Sequence, residues 1–125
     1  MPNLLLVMLG GAIGAGLRHL AGMVALAKAG PGFPWGTLFV NLAGGLAMGL
    51  LAGWFVRAGG NEQMRLFLAI GLLGGFTTFS AFSLETWLMI ERGQIALAAL
   101  YVAASVIGSV LLLVAGLFVM RAGTA

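Results

Sequence analysis

The chain has 125 residues, room for one domain, and 62% of them are hydrophobic against 7% charged, with six Lys/Arg, three Asp/Glu and a formal net charge of +3. A soluble domain carries about 25% charged residues, so this chain could not cover its own surface in water. The composition excludes a soluble enzyme, a nucleic-acid reader and a disordered tail; the absence of Cys excludes disulfides, thiolate metal sites and a cysteine nucleophile. What remains is an integral membrane protein.

A helix needs about 20 apolar residues to cross roughly 30 Å of hydrocarbon. Four such stretches are predicted, at residues 4–27, 33–56, 64–90 and 94–120, in a single transmembrane domain over residues 1–125. The breaks between them, at residues 28–34, 57–62 and 91–93, are short and rich in Gly and Pro.

No Lys or Arg precedes Leu4, so the first stretch reads as a span and not as a secretory signal. It carries Gly10 and Gly14 at helical spacing, then Arg18 and His19, read as lying near the span end and snorkelling to the interface. A second His or a Cys that could complete a metal site with His19 does not exist. In the second span Trp35 and Trp54 stand about 28 Å apart along a helix and read as interface anchors. Asn41 lies about 5 Å from the midpoint between them, either as interhelical glue or as part of a polar pathway.

The third span opens with Asn61 as N-cap and Glu62 at the positive end of the helix dipole. Around its midpoint, residue 75, Gly74 and Gly75 are followed by Phe76, Thr77 and Thr78, a poor helical sequence. Two readings stand. Either the helix breaks and the freed carbonyls can bind a cation, or it stays intact with the Thr hydroxyls bonded back to their own backbone. Phe79 and Phe82 share a helix face with Phe76, as packing or as ring edges turned to an anion. Glu85 lies near the span end, and Trp87 is a further anchor.

On the fourth span Tyr101, Ser105 and Ser109 recur every four residues as a stripe of hydroxyls, without a group that titrates near neutrality. This disfavours a proton relay and favours an uncharged hydrogen-bonding track. Glycine contributes 21 residues, much of it at four-residue spacing as in Gly45, Gly49 and Gly53, which lets helices approach closely. Four helices of this length enclose little volume, so a permeation path is expected between subunits. Arg57, Arg65 and Arg121 fall on one side of the membrane and Arg18, Lys28 and Arg92 on the other, three against three. Lys/Arg bias sets orientation, so a balanced chain is expected to insert both ways unless a subtler cue decides.

The run GGFTTFSAFSLE at residues 74–85, with WGTLFVNLAGG at 35–45 and GGAIGAGLRH at 10–19, resembles the Fluc/CrcB family of small fluoride channels, and the similarity spans all four helices. The resemblance implies an all-α fold whose third helix is broken near its middle. It further implies an antiparallel, dual-topology homodimer in the plasma membrane, with two fluoride pores and a structural sodium ion at the dimer centre. By position, Asn41, Phe79, Phe82, Ser80, Ser83, Tyr101, Ser105 and Ser109 would line the pore and Arg18 and Glu85 the vestibule. Backbone carbonyls of Gly74 and Thr77 would hold sodium. Two positions depart from the family pattern: Ala81, where Thr is frequent, and Leu113, where a hydroxyl is frequent. The implied activity is passive fluoride export, with partners limited to fluoride, sodium, a second copy and the lipid bilayer; no enzyme activity and no nucleic acid enter. The alternative, a proton-coupled small multidrug transporter, needs an embedded carboxylate, and span one has no Asp or Glu.

Overall fold

The computed structural model describes residues 2–122, and over that range the regular structure is helical. Helix α1 runs Pro2–Ala29, α2 Trp35–Ala58, α3 residues 62–76, α4 Phe79–Glu91 and α5 Ile95–Ala122. Helices α3 and α4 are the two halves of one span, Glu62–Glu91, so four helices are long and apolar enough to cross a membrane and the third is broken.

The ends follow local chemistry. Gly30, Gly59 and Gly93 adopt φ of 77°, 68° and 78° just past α1, α2 and α4, a conformation that residues with a Cβ rarely take. At the start of α3 the Asn61 side chain accepts from the Met64 N–H at 2.8 Å, the cap expected for an Asn in extended backbone. Arg65 donates to Glu62 at 2.6 Å beside it, an exposed pair.

Helix α1 packs on α3, and α2 packs on α5. Both pairs approach backbone to backbone through glycine. A Cβ on Gly14 would run into the Leu72 carbonyl of α3, and one on Gly49 into the Leu113 carbonyl of α5. Within α3, Arg65–Leu73 is wound as a π-helix, and the Gly74 N–H reaches back to the Ala69 carbonyl. Residues Leu38, Phe82, Met89, Ala98 and Tyr101 form a small buried cluster where α2, α4 and α5 meet. Large apolar side chains such as Leu100, Ile107, Leu111 and Phe118 stay exposed, as they do when the surrounding solvent is lipid.

Candidate functional site

The break in the third span lies one step later than the glycines suggest. Gly74 keeps helical angles, φ −62° and ψ −39°, whereas Thr77 (−86°, 159°) and Thr78 (−150°, 122°) are extended. Small glycines tolerate a helix when packing rewards it, and β-branched threonines relax readily into extended backbone. The two sequence readings of the threonines both hold in part: the helix breaks, and Thr77 Oγ1 still donates to the Leu73 carbonyl at 3.0 Å.

Four long-range or capping hydrogen bonds keep the break open. Asn41 of α2 bridges Thr78 twice: the Thr78 N–H donates to Asn41 Oδ1 at 2.8 Å, and Asn41 Nδ2 donates to the Thr78 carbonyl at 3.0 Å. The Ala81 N–H donates to Thr78 Oγ1 at 3.2 Å, which caps α4. Arg18 Nε donates to the Gly75 carbonyl at 3.3 Å. In a continuous helix Thr78 N–H would close on Gly74 and Ala81 N–H on Thr77. Both donors are turned to side chains instead, so the carbonyls of Gly74 and Thr77 have lost their helical partners.

Arg18 therefore does not lie at a span end. It sits about 4 Å past the midpoint of α1, beside the break, because a freed carbonyl there accepts its guanidinium. Phe76 is likewise separated from Phe79 and Phe82 by the break, so the three rings do not form one helical stripe. The rings of Phe79 and Phe82 are 5.6 Å apart, with Phe79 77% exposed and Phe82 buried against Tyr101 at 5.2 Å.

An open cleft of about 410 Å³ brings together Asn41, Gly74, Thr77, Phe79, Phe82, Ser105 and Ser109. Ser80, Ser83 and Tyr101 do not line it. Ser80 and Ser83 are exposed on α4, where Ser83 donates to its own helix at Phe79 and the Ser80 and Thr78 hydroxyls are 3.3 Å apart. Ser109 donates to the Asn41 carbonyl at 3.3 Å, which also ties α5 to the residue that holds the break. Ser105 differs: among the described residues its Oγ is buried without a hydrogen-bond partner, and it lies in the cleft.

Tyr101 is fully buried and donates to Glu85 Oε1 at 3.0 Å. Glu85 and Thr37 line two adjoining clefts of about 310 and 360 Å³; Arg18, His19 and Ala81 line the larger. Sequence reasoning missed Thr37 and the capping role of Thr78. Thr37 carries no local signal, whereas Thr78, directly before the first turn of α4, is a readable N-cap. Ala81 places a methyl group where a hydroxyl would face Glu85's cleft, and Leu113 does not line the 410 Å³ cleft at all.

The fold and site define a multi-pass membrane protein: four short spans, one broken at mid-depth, with donors and aromatic rings facing a common cleft. The chain belongs to the CrcB family, whose description, CrcB-like protein, Camphor Resistance (CrcB), matches residues 5–117. Curated relatives agree over nearly their whole length. A fluoride-specific ion channel FluC from Sphingopyxis alaskensis is 58% identical over 122 residues, 97% of each chain. One from Novosphingobium aromaticivorans is 59% identical, covering 92% of this chain and 93% of its own, and one from Hyphomonas neptunium is 55% identical over 97% of each.

Proposed function

We propose that this chain is a passive fluoride-selective channel through which fluoride leaves across the plasma membrane, lowering its cytoplasmic level. The observation that carries this reading is the cleft of about 410 Å³, where the Asn41 amide, the unpartnered Ser105 hydroxyl and the Phe79 and Phe82 rings converge without a fixed cation or carboxylate in the lining. A small, strongly hydrated anion needs donors that replace water, and neutral donors let it leave again. A proton-coupled transporter is less well supported, since Glu85 is held by Tyr101 and span one carries no carboxylate. Purified protein in fluoride-loaded liposomes should release fluoride once a potassium ionophore balances charge, and should release chloride far more slowly. Equal chloride release, or release only with a proton gradient, overturns the reading.

In this proposal the functional unit is an antiparallel, dual-topology homodimer, because the cleft is open on one chain and needs a second wall. The balanced Lys/Arg count supports it. Two Lys added after Ala125 should shift C-terminal topology reporters from both orientations to one; a single orientation in the unmodified chain would sink the claim. A structural sodium ion would be held by the Gly74 and Thr77 carbonyls, whose helical donors are engaged elsewhere. Among the described residues three or more His, Cys, Asp or Glu do not come together, so a cation at the break would rest on backbone oxygen. Its charge would satisfy acceptors that otherwise cost several kcal/mol each in hydrocarbon (~4–8 kcal/mol in the strictest apolar reference).

Three substitutions separate pore from packing. Ser105→Ala should slow fluoride efflux by about tenfold, the ~1.4 kcal/mol of one lost donor. Ser109→Ala should act mainly through the α2–α5 contact, since its proton is already donated to Asn41. Phe79→Ile, at a side chain 77% exposed on a single chain, should reduce efflux with the dimer intact. Wild-type efflux in both Ser105→Ala and Phe79→Ile would move the path elsewhere.

A further inference from the structure

A second cavity shares no residue with the ion cleft. It is a groove of about 530 Å³ between the second half of α1 and the start of α2, walled by Leu20 and Val24 on one helix and Trp35 and Phe39 on the other, with the partly buried Ala21 and Ala25 between them. The four wall residues are 57%, 53%, 48% and 58% exposed, so none of the described residues fills the groove. A charge stands at its end: Lys28 is exposed in the last turn of α1, one helical turn beyond Val24 and two beyond Ala21 on the same face. From Lys28 to Leu20 is about 12 Å of helix, against roughly 15 Å for half the hydrocarbon thickness. With Trp35 at the same end, the groove runs from headgroup depth towards the bilayer centre.

We infer that this groove is a binding site for one acyl chain of an anionic phospholipid whose phosphate pairs with Lys28. An apolar trough ending in an exposed cation is complementary to a molecule with a long apolar part and an anionic head. A second copy of the chain fits less well: of its three carboxylates, Glu62 is paired with Arg65 and Glu85 with Tyr101, which leaves Glu91 alone to meet Lys28. The inference does not depend on what passes through the cleft.

The test uses the protein reconstituted in vesicles of equal phosphatidylcholine and phosphatidylglycerol, extracted gently and weighed intact by native mass spectrometry. The wild type should retain phosphatidylglycerol over phosphatidylcholine by about fivefold, the preference one Lys near an anionic surface supplies. Lys28→Gln should bring the two lipids to parity, whereas Arg121→Gln, a charge at the opposite membrane face, should leave the preference in place. Ala21→Phe, which fills the groove, should lower retention of both lipids. Unchanged phosphatidylglycerol preference in Lys28→Gln overturns the proposal, as does loss of that preference in Arg121→Gln. Dissociation of the dimer by Ala21→Phe also overturns it, since the groove would then be covered by a second copy.

Discussion

Asn41→Asp should reduce fluoride efflux by at least about 100-fold while the protein stays folded and monodisperse. The substitution keeps size and keeps the acceptor that takes the Thr78 N–H at 2.8 Å, but it removes the Nδ2 donor that meets the Thr78 carbonyl at 3.0 Å. That carbonyl then faces a carboxylate oxygen, and an unpaired buried acceptor costs ~1–3 kcal/mol. In addition a negative charge stands in the cleft that the anion must use. Both effects fall on the same residue because the amide has two jobs: one of its N–H groups and its oxygen hold the break open, and its second N–H is left for the cleft. Efflux at the wild-type rate in Asn41→Asp would show that neither the clamp nor the cleft limits passage.

In the proposed dimer, Gly74→Leu should leave a folded monomer without efflux. Gly74 has ordinary helical angles, is exposed on the single chain, and a Cβ placed on it would meet nothing closer than the Ala69 carbonyl at 3.7 Å. Nothing inside the chain therefore opposes a side chain there, and Leu improves the helix. A partner crossing at this point would be pushed off. Gly75→Val is a different experiment, although the two residues are adjacent. A Cβ on Gly75 would come within 2.5 Å of the Gly11 carbonyl and 3.0 Å of its Cα, so the substitution should wedge α1 away from α3 and destabilise the fold itself by ~1–3 kcal/mol or more. Subunit counting after reconstitution, by photobleaching or crosslinking, separates the outcomes. A fully dimeric, fully active Gly74→Leu protein would place the crossing somewhere other than the break.

The sequence by itself determined the four spans, because uncharged stretches of about 20 residues have no other stable place to go. It determined the Asn61 cap and the glycine turns, which depend on neighbours within a few residues. It also located the neighbourhood of the break, since Gly-Gly followed by Thr-Thr is unfavourable to a helix at any depth. The family's motif supplied a role for each polar position, and the cleft does bring Asn41, Phe79, Phe82, Ser105 and Ser109 to one place. Only the tertiary structure decided that the glycines stay helical and the threonines extend, because Gly75 is rewarded by contact with Gly11 of α1 and Thr78 by Asn41 of α2. It alone moved Arg18 from a span end to the Gly75 carbonyl, 57 residues away, and paired Tyr101 with Glu85. Periodicity tells which residues share a face of one helix. Which carbonyl loses its partner, and which side chain on another helix replaces it, is settled when the helices pack, because in hydrocarbon each freed backbone group must find its partner within the protein.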